Sequence, residues 1–478
     1  MTVGPHAPAR LPAARPLLPT LIVALGFLGS RAVYRWGLGV RFDAHPLKAS
    51  FHLLDQELLR HDLLRSVFYL HHQAPLVNLL AGVALKLFPA SGVGAIAATF
   101  FVLGLLMALS MEAVLRDLGV SPRLRVVATL LFSASPATVL YESWLMYHHL
   151  VIAFLVMALA ALLRFLRTGS RLSGSAFFGL LALVALTRSI YGIAWMASVT
   201  LVLLLLRPLP RGLVLRVAAA PLLVVLLHTV KAPLLFGRSL GHAMLAPNLA
   251  VKVLFEIPAE EQERLYRDGK ISPVTRLLPF FDLSVHPEFR VALPETSVPS
   301  LDEEHTSSGV PNAHALEYVY IADVYMKDAR WLITHYPGAY LRGAWRALSD
   351  GFLRSATYDL PDTQPGGAVE PVDRWVQRLL LLRDDRLWGL TLGLPLSLLY
   401  GVAWLLGPRA RMRSSRSTTP AVAVMVVTIL YVAGTTLVSY GAFSRYRFEV
   451  DGYFLMLGTL LASALLRRLR TTKRVLRG

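Results

Sequence analysis

The segment "YLHHQAPLVNLLAGVALKLF", residues 69–88, decides how this chain is threaded. It sets two histidines, a glutamine and a proline in front of a short apolar run, 74–88, that carries Lys86. A helix needs about 20 apolar residues to cross a bilayer. The run is therefore short for a transmembrane helix. Whether it crosses the bilayer determines on which side of the membrane every later loop lies.

The composition places the chain among membrane proteins. Its 478 residues are 55% hydrophobic and 16% charged, and the mean hydropathy is +0.53. A soluble domain of this length does not need so much apolar sequence for its core. The net charge of +18 comes from short basic clusters between apolar stretches, which orient the chain in a bilayer and exclude nucleic acid as a partner. With no cysteine, the chain has no disulfide, thiolate metal site or cysteine nucleophile.

About ten segments are predicted to span the membrane, and arginine clusters between them set the orientation. The segments are 17–40, 95–115, 121–141, 144–166, 173–187, 190–206, 212–230, 387–406, 420–440 and 446–466. The clusters expected on the cytoplasmic side are Arg10/Arg15, Arg116/Arg123/Arg125, Arg164/Arg167/Arg171, Arg207/Arg211/Arg216, "RARMRSSR" at 409–416 and the "RRLRTTKR" tail. The arginine- and alanine-rich, cysteine-free composition favours a bacterial plasma membrane.

If 74–88 crossed the bilayer, every later cluster would fall on the wrong side, so it is predicted to be a juxtamembrane or re-entrant helix on the outer face. The predicted fold is an all-α polytopic membrane protein with about ten transmembrane helices, juxtamembrane helices in the first outer loop and a long helical extracytoplasmic loop. The domain organisation that follows is a transmembrane module at 1–230 with outer loop 41–94, a loop region at 231–386, and C-terminal helices with a basic tail at 387–478.

Two parts of the long loop carry their own predictions. The segment 293–311 is rich in proline, serine and acidic residues, a composition typical of a mobile cover over a substrate. The segment 313–336 is predicted to be an amphipathic helix on the membrane surface. Its apolar positions at helical spacing are Leu316, Val319, Tyr320, Val324, Trp331 and Ile333.

Three carboxylates are candidates for the catalytic group. Asp43 lies just past the first predicted span, Asp55 follows in the same loop, and Glu142 in "YESW" lies where the third span leaves the bilayer. A carboxylate at the water–membrane boundary can act as a general base because partial desolvation raises its affinity for a proton. The alternative is structural: the two aspartates would cap surface helices, and the glutamate would lie in an interfacial aromatic belt.

His71, His72 and Gln73 stand before Pro75, which suits the first position of a helix. The exposed amides and positive dipole of such a helix start attract phosphate, so these three residues are candidate substrate ligands. A polar helix cap at the headgroup layer is the plain alternative. No metal site is predicted, because side chains of adjacent histidines diverge and no third ligand is fixed by spacing.

Five cations on the predicted outer face are candidates for binding an anionic substrate. They are Arg188, Lys231, Arg238, Arg445 and Arg447. An arginine among apolar runs is costly, and cations on the outer face break the positive-inside rule, so a bound anion would explain them. Ordinary lipid phosphates are the alternative ligand, and snorkelling of Arg188 to headgroups is a second explanation.

This layout resembles the GT-C superfamily of polyprenyl-phosphate-dependent glycosyltransferases, especially the branch of protein O-mannosyltransferases and the lipid A aminoarabinose transferase. In that family an acidic residue follows the first span, a His-Pro-Pro-Leu-like motif opens a short helix, and a second acidic site follows the third span. Asp43 or Asp55, "HHQAPL" at 71–76 and Glu142 occupy the matching places. "RYRFEVDGYFLM" at 445–456 resembles the basic outer start of the family's last helix.

The chain also departs from the family pattern. Ala74 replaces the first proline, and an Asp-Glu pair is replaced by "DA" at 43–44, which leaves open which carboxylate is catalytic. "YES" lacks the paired acids that hold metal in oligosaccharyltransferase members, so the resemblance permits a divalent ion without implying one.

The resemblance implies transfer of a sugar from a polyprenyl-phosphate carrier to a hydroxyl of a lipid, glycan or protein on the outer face. Membrane lipids are the surrounding partners. Two alternatives from other classes stay open: a lipid or polyprenol-sugar translocase, and a non-catalytic membrane assembly protein.

Overall fold

The computed structural model describes residues 17–354, 371, 375, 383–384, 390–391, 393–407, 417–440 and 443–475. Arg10, Arg15 and the basic run 409–416 lie outside the described residues. The long helices are α1 (Leu17–Ala32), α6 (Gly92–Asp117), α7 (Pro122–Ser133), α9 (Tyr147–Thr168), α10 (Arg171–Thr187), α11 (Ile193–Leu206), α12 (Arg211–Phe236), α13 (His242–Leu254), α16 (Glu317–His335), α18 (Gly393–Leu406), α19 (Thr418–Thr435) and α20 (Phe443–Val475).

Shorter helices fill the loops between these elements. They are α2 (Pro46–Ala49), α3 (Gln56–His61), α4 (Leu63–Phe68), α5 (Leu76–Leu87), α8 (Pro136–Glu142), α14 (Ala259–Arg267), α15 (Pro299–Asp302) and α17 (Pro337–Arg346), with π-helical turns at Val33–Gly37 and Ala347–Arg354 and 3₁₀ turns at Ser189–Tyr191, Pro273–Arg276 and Pro287–Phe289. The described strands are the two-residue pair β1 (Arg383–Asp384) and β2 (Leu390–Thr391), which pair antiparallel.

The chain is an all-α polytopic membrane protein, as the sequence predicts. Six described helices are long and apolar enough to cross a membrane: Leu17–Gly37, Gly92–Asp117, Tyr147–Thr168, Arg211–Phe236, Thr418–Thr435 and Arg445–Thr472. The bent pair α7 and α8 would make a seventh. Three more of the ten predicted segments are the shorter apolar helices α10, α11 and α18, so the count of ten spans stays a prediction.

The local sequence explains the bend between α7 and α8. The two helices meet at 53°, across the break Ala134–Ser135. Pro136 has no amide hydrogen for a continuous helix and suits a first turn, while the Ser135 hydroxyl accepts a hydrogen bond from the amide of Thr138 at 3.3 Å. A new helix therefore starts here, and it carries Glu142 to its end.

The centre of the bundle is α9, which is buried on nearly every side. From Leu150 to Leu163 its sequence is apolar throughout, which is typical of a helix enclosed by other helices. It contacts α6, α10 and α20. Its first turn therefore places Tyr147 and His148 where the ends of several helices meet.

Helix α5 is short, as predicted for the opening segment, whereas its place on the outer face stays a prediction. Its 12 residues extend about 18 Å by helical rise, well short of the roughly 30 Å of a hydrocarbon core. It packs against α3, α4, α6 and α10. These contacts place α5 between the short helices of loop 41–94 and the long helices α6 and α10.

The first part of the long loop is anchored to the rest of the chain at two points. The amide of Gly241 donates to the carbonyl of His71 at 3.0 Å. Further along, the buried Nζ of Lys252 donates to the carbonyl of Thr436, just past the end of α19, at 2.6 Å. Helices α13 and α16, which pack against each other, therefore connect the end of α12 to the end of α19.

The inward face of α16 differs from the predicted apolar stripe. Tyr318, Ile321, Ala322, Tyr325 and Ala329 form its buried face. Of the six predicted positions, Val319 is buried, but Tyr320 and Val324 are each 37% exposed. This face is buried because it packs on α13, where the alanines permit close approach. The hydroxyls of Tyr318 and Tyr325 donate to backbone carbonyls.

Replacement of Gly82 tests the seating of α5. A Cβ there would lie 2.3 Å from a Leu63 methyl and 3.1 Å from the Leu59 carbonyl oxygen. Gly82→Ala is expected to lower stability by about 1–3 kcal/mol through overpacking. Gly94→Ala, where nothing lies within 4 Å, should be neutral or stabilising. Thermal unfolding of both variants in detergent measures the difference; equal melting temperatures would contradict the packing.

Candidate functional site

The polar side chains of the opening segment hold the loops above α5. Four of its side chains hydrogen-bond to segment 51–54 or to residue 314, with donor–acceptor distances between 2.8 and 3.0 Å. His71 Nε2 donates to the carbonyl of His314, His72 Nε2 donates to the carbonyl of Phe51, Gln73 Nε2 bonds to His52 Nδ1, and Asn78 Oδ1 accepts from the amide of Leu54.

These contacts change what the predicted ligands His71, His72 and Gln73 can do. The Nε2 atoms of both histidines are occupied by backbone carbonyls, and their Nδ1 atoms are buried without a partner. The helix starts at Leu76, one residue later than predicted, with Pro75 as its N-cap. The structure thus places these three side chains in the support of the loop rather than around an open cavity.

Burial keeps the surrounding histidines neutral. It lowers the pKa of His71 to about 4 and that of His314 to about 3. Burial also lowers the pKa of His52 to about 3, and the positive charges of Arg445 and Arg188 contribute in the same direction. The pKa of His72 is likewise far below its ordinary value, mainly through burial.

Asp43 is fixed by the backbone at the end of the first span. Its amide donates to the carbonyl of Ser143 at 2.7 Å, and its carbonyl accepts from the amide of Leu145 at 3.0 Å. Asp43 and Trp144 thus form a short parallel bridge. One carboxylate oxygen accepts from the amide of His45 at 2.8 Å, which sets the direction of the side chain.

Arg188 is held by a carboxylate in the last helix. Its Nη1 forms a salt bridge with Glu449. The other Glu449 oxygen accepts from the Tyr191 hydroxyl at 3.0 Å, and His148 Nδ1 lies 2.8 Å from the first. The guanidinium lies 4.0 Å from the ring centre of Tyr446, so its plane is fixed by both charge and stacking.

Aromatic rings join these groups into one site. The Tyr147 ring lies 4.8 Å from the Arg188 guanidinium carbon and 5.1 Å from the ring of His52. The Trp144 ring, on the segment paired with Asp43, lies 5.9 Å from the guanidinium carbon of Arg445. Both rings also pack on His148, so Arg188 and Arg445 lie against one aromatic patch, and Asp43 is joined to it through its backbone bridge to Trp144.

The other two predicted carboxylates are engaged elsewhere. Asp55 caps α3 through the amide of Glu57, and it accepts from both the amide and the hydroxyl of Ser307, at 2.9 and 2.5 Å. It thereby ties segment 293–311 to the first loop. Glu142 is buried and forms a two-pronged ion pair with Arg31 of α1, at 3.0 and 2.5 Å.

The remaining predicted cations lie around the site rather than in the aromatic patch. Lys231 Nζ is 5.8 Å from the ring centre of Phe68, near His71. Arg238 forms two 2.7 Å hydrogen bonds with Asp323. Arg447 is fully buried, with its Nε 3.3 Å from Asp451 of the same helix.

Sequence reasoning missed the residues that organise this patch. Glu449, His148, Tyr191, Tyr147 and His52 all contact Arg188 directly or through one neighbour. The sequence does carry a signal for Glu449, because a carboxylate within an apolar span is as costly as Arg188 among apolar runs. His52 carried no such signal, because a lone histidine in a polar loop is ordinary.

Among the described residues, no three histidine, aspartate or glutamate side chains are grouped so that they could hold a metal ion. His71 and His72 direct their Nε2 atoms to separate backbone carbonyls. The divalent ion that the resemblance permits therefore has no ligand set among these residues.

Comparisons with known proteins find a distant likeness in solved structures. No family model and no curated protein sequence matches the chain. The crystal structure of the Archaeoglobus fulgidus oligosaccharyltransferase with Zn and sulfate aligns over 95% of this chain and 50% of that one, at 12% identity and a TM-score of 0.46. The apo form aligns over 96% and 52%, at 13% identity and a TM-score of 0.43. The chain spans about half the length of these proteins, and a likeness of this degree does not establish a family.

Because His71 and His314 are buried in their neutral form, we expect the protein to lose stability in acid. Between pH 6.5 and about 4 the unfolded chain binds protons that buried His71 and His314 do not, so stability falls as the pH falls through this window. Each contributes up to about 1.4 kcal/mol per pH unit. Melting temperatures in detergent should fall from pH 7 to 4.5, less steeply in His314→Asn. Exposed His61→Asn is the control, and an unchanged slope in His314→Asn would contradict the assignment.

The Arg31–Glu142 pair predicts a strong asymmetry between single and double substitutions. Glu142→Gln leaves a buried arginine uncompensated and is expected to cost about 3–5 kcal/mol of stability. The double variant Arg31→Met/Glu142→Met should recover much of this loss. Unfolding free energies in mixed micelles measure both, and a double variant as unstable as the single one would show that the pair does not act as a unit.

Proposed function

We propose that this protein is a membrane glycosyltransferase. It transfers a sugar from a polyprenyl-phosphate carrier to a hydroxyl of a lipid, glycan or protein acceptor, at the face of the membrane that carries loop 41–94. We further propose a bacterial plasma membrane as its location, with this face extracytoplasmic, on the strength of the arginine pattern.

One set of contacts supports the proposal: Arg188 lies against Tyr147, Arg445 lies near Trp144, and the backbone of Asp43 bridges Trp144. The site thus combines a carboxylate with two guanidinium groups at the level where spans end. A phosphate leaving group needs preorganised positive charge, and a hydroxyl nucleophile needs a base. Few other reactions at a membrane surface require both within one site.

An apolar cavity beside the patch supports a lipid-linked donor. It has a volume of about 640 Å³ and lies between α7, α8, α18 and α20. Its lining extends along α20 from Phe448 to Leu465, roughly 25 Å by helical rise. Phe448 stacks on Tyr141 with ring centres 4.2 Å apart and lies three residues from Arg445. A hydrocarbon chain in this cavity would place its phosphate end near the two arginines.

The reaction follows from these positions. Asp43 accepts the proton of the acceptor hydroxyl as its oxygen bonds to the anomeric carbon, and the bond from that carbon to the phosphate oxygen breaks. Attack from the side opposite the leaving group inverts the anomeric centre. Arg188 and Arg445 stabilise the negative charge that develops on the departing polyprenyl phosphate.

The other predicted residues take supporting roles in this proposal. Asp55 and Ser307 hold segment 293–311 over the first loop, and Glu142 fixes α8 against α1. His72 and Gln73 hold the loop that carries His52, and His71 holds residue 314 of the long loop. Lys231 contributes positive potential from behind the histidines, whereas Arg238 and Arg447 stabilise the long loop and the last helix.

Substitution of Asp43 tests the proposed base. Asp43→Asn keeps the size of the side chain and removes the proton acceptor, so transfer from a labelled polyprenyl-phosphate sugar should fall by about 10²–10⁴-fold. Arg188→Gln and Arg445→Gln should also reduce transfer, because charge on the leaving group is then poorly stabilised. Exposed Glu57→Gln is the matched control. Wild-type activity in Asp43→Asn would remove Asp43 from the mechanism.

A further inference from the structure

Four histidines lie in or beside the opening segment, and His52 differs from the other three in which ring nitrogen is hydrogen-bonded. His71, His72 and His314 each bond a backbone carbonyl through Nε2 and bury an unpartnered Nδ1. His52 bonds Gln73 through Nδ1 at 2.8 Å. Its Nε2 has no hydrogen-bond partner among the described residues, and it is not among their buried unpartnered atoms. The Nε2 atom of His52 is therefore neither hydrogen-bonded nor fully enclosed by the described residues.

The position of His52 connects this nitrogen to the proposed phosphate site. Its ring packs edge-on against Tyr147, with centres 5.1 Å apart. The opposite neighbour of Tyr147 is the guanidinium of Arg188, at 4.8 Å. Asn78 also fixes the backbone around His52. The carbonyl of His52 accepts from Asn78 Nδ2 at 3.4 Å, and the amide of Leu54 donates to Asn78 Oδ1 at 2.8 Å.

The contact with Gln73 decides what His52 can do. An amide NH₂ that donates to Nδ1 leaves the proton of a neutral imidazole on Nε2. The nearby charges of Arg188 and Arg445 oppose a second proton on the ring, in addition to burial, which lowers its pKa to about 3. His52 therefore offers a neutral N–H donor, which suits an anionic oxygen and does not suit a cation.

We propose that His52 is a further substrate-contacting residue, which donates from Nε2 to a phosphate oxygen of the polyprenyl-phosphate carrier, with Gln73 as the residue that positions its ring. The inference rests on the proposed function, because it assumes that the phosphate binds beside Arg188. No proton changes place in this contact. It would orient the phosphate, while the arginines supply the charge.

The test measures binding of two probes to the full chain in lipid nanodiscs. A polyprenyl phosphate carries the anionic oxygen, and the matching polyprenol lacks it. His52→Phe keeps an aromatic ring against Tyr147 and removes the donor, so affinity for the phosphate should fall roughly 10- to 100-fold, as expected for a hydrogen bond to a charged group. Affinity for the polyprenol should not change. His61→Phe, on an exposed side chain of α3, is the matched control.

Gln73→Glu gives a second test that leaves His52 in place. A carboxylate accepts the proton of Nδ1, so Nε2 becomes an acceptor facing the phosphate, and affinity should again fall. His52→Gln, which retains an amide donor, should keep more affinity than His52→Phe. If either His52→Phe or Gln73→Glu binds the phosphate as the wild type does, the inference is overturned.

Failure of the proposed function would look different. In that case the wild-type chain itself would bind the polyprenyl phosphate no better than the polyprenol, and Arg188→Gln would make no difference. Preference for the phosphate in the wild type, lost in Arg188→Gln and retained in His52→Phe, would overturn the His52 assignment alone. Should His52→Phe fail to fold, Gln73→Glu and His52→Gln decide the outcome.

Discussion

The site depends on one set of hydrogen bonds, those between the polar side chains that precede or begin α5 and the loop above them. Buried backbone groups must be paired, and a loop against a membrane bundle has few waters to pair with. His72 and Asn78 meet that need for residues 51–54, and His71 meets it for residue 314. Because these bonds come from a short helix packed on α6 and α10, the loop keeps a fixed position relative to the spans.

A second constraint acts inside the bundle. Glu449 lies on α20 and Arg188 directly follows α10, and neither charge would be tolerated alone among apolar side chains. Their pairing, supported by Tyr191 and His148, leaves the Arg188 guanidinium stacked between Tyr147 and Tyr446. The arrangement fixes a positive group before any substrate arrives, which is the condition for stabilising a departing phosphate without reorganisation.

The two constraints meet at Tyr147, which contacts both His52 and Arg188. The loop thus places the ring of His52 next to the tyrosine that contacts Arg188, and under the proposal His52 is a hydrogen-bond donor there. Asp43 joins the same patch through its backbone bridge to Trp144. In the proposed function, Asp43 is the base, the two arginines bind the phosphate, and the apolar cavity along α20 holds the lipid of the donor.

The sequence by itself determined the class of fold, the short α5 and three of the residues in the patch, Asp43, Arg188 and Arg445. Hydrophobic length and arginine placement decide these because each acts locally, through the bilayer, on every segment separately. Only the tertiary structure decided the partners. It turned Asp55 and Glu142 towards Ser307 and Arg31, occupied His71 and His72, and brought Glu449 and His52 beside Arg188. Which polar groups pair depends on helix rotation and packing across more than two hundred residues of chain, such as the 261 between Arg188 and Glu449, and no local pattern encodes it.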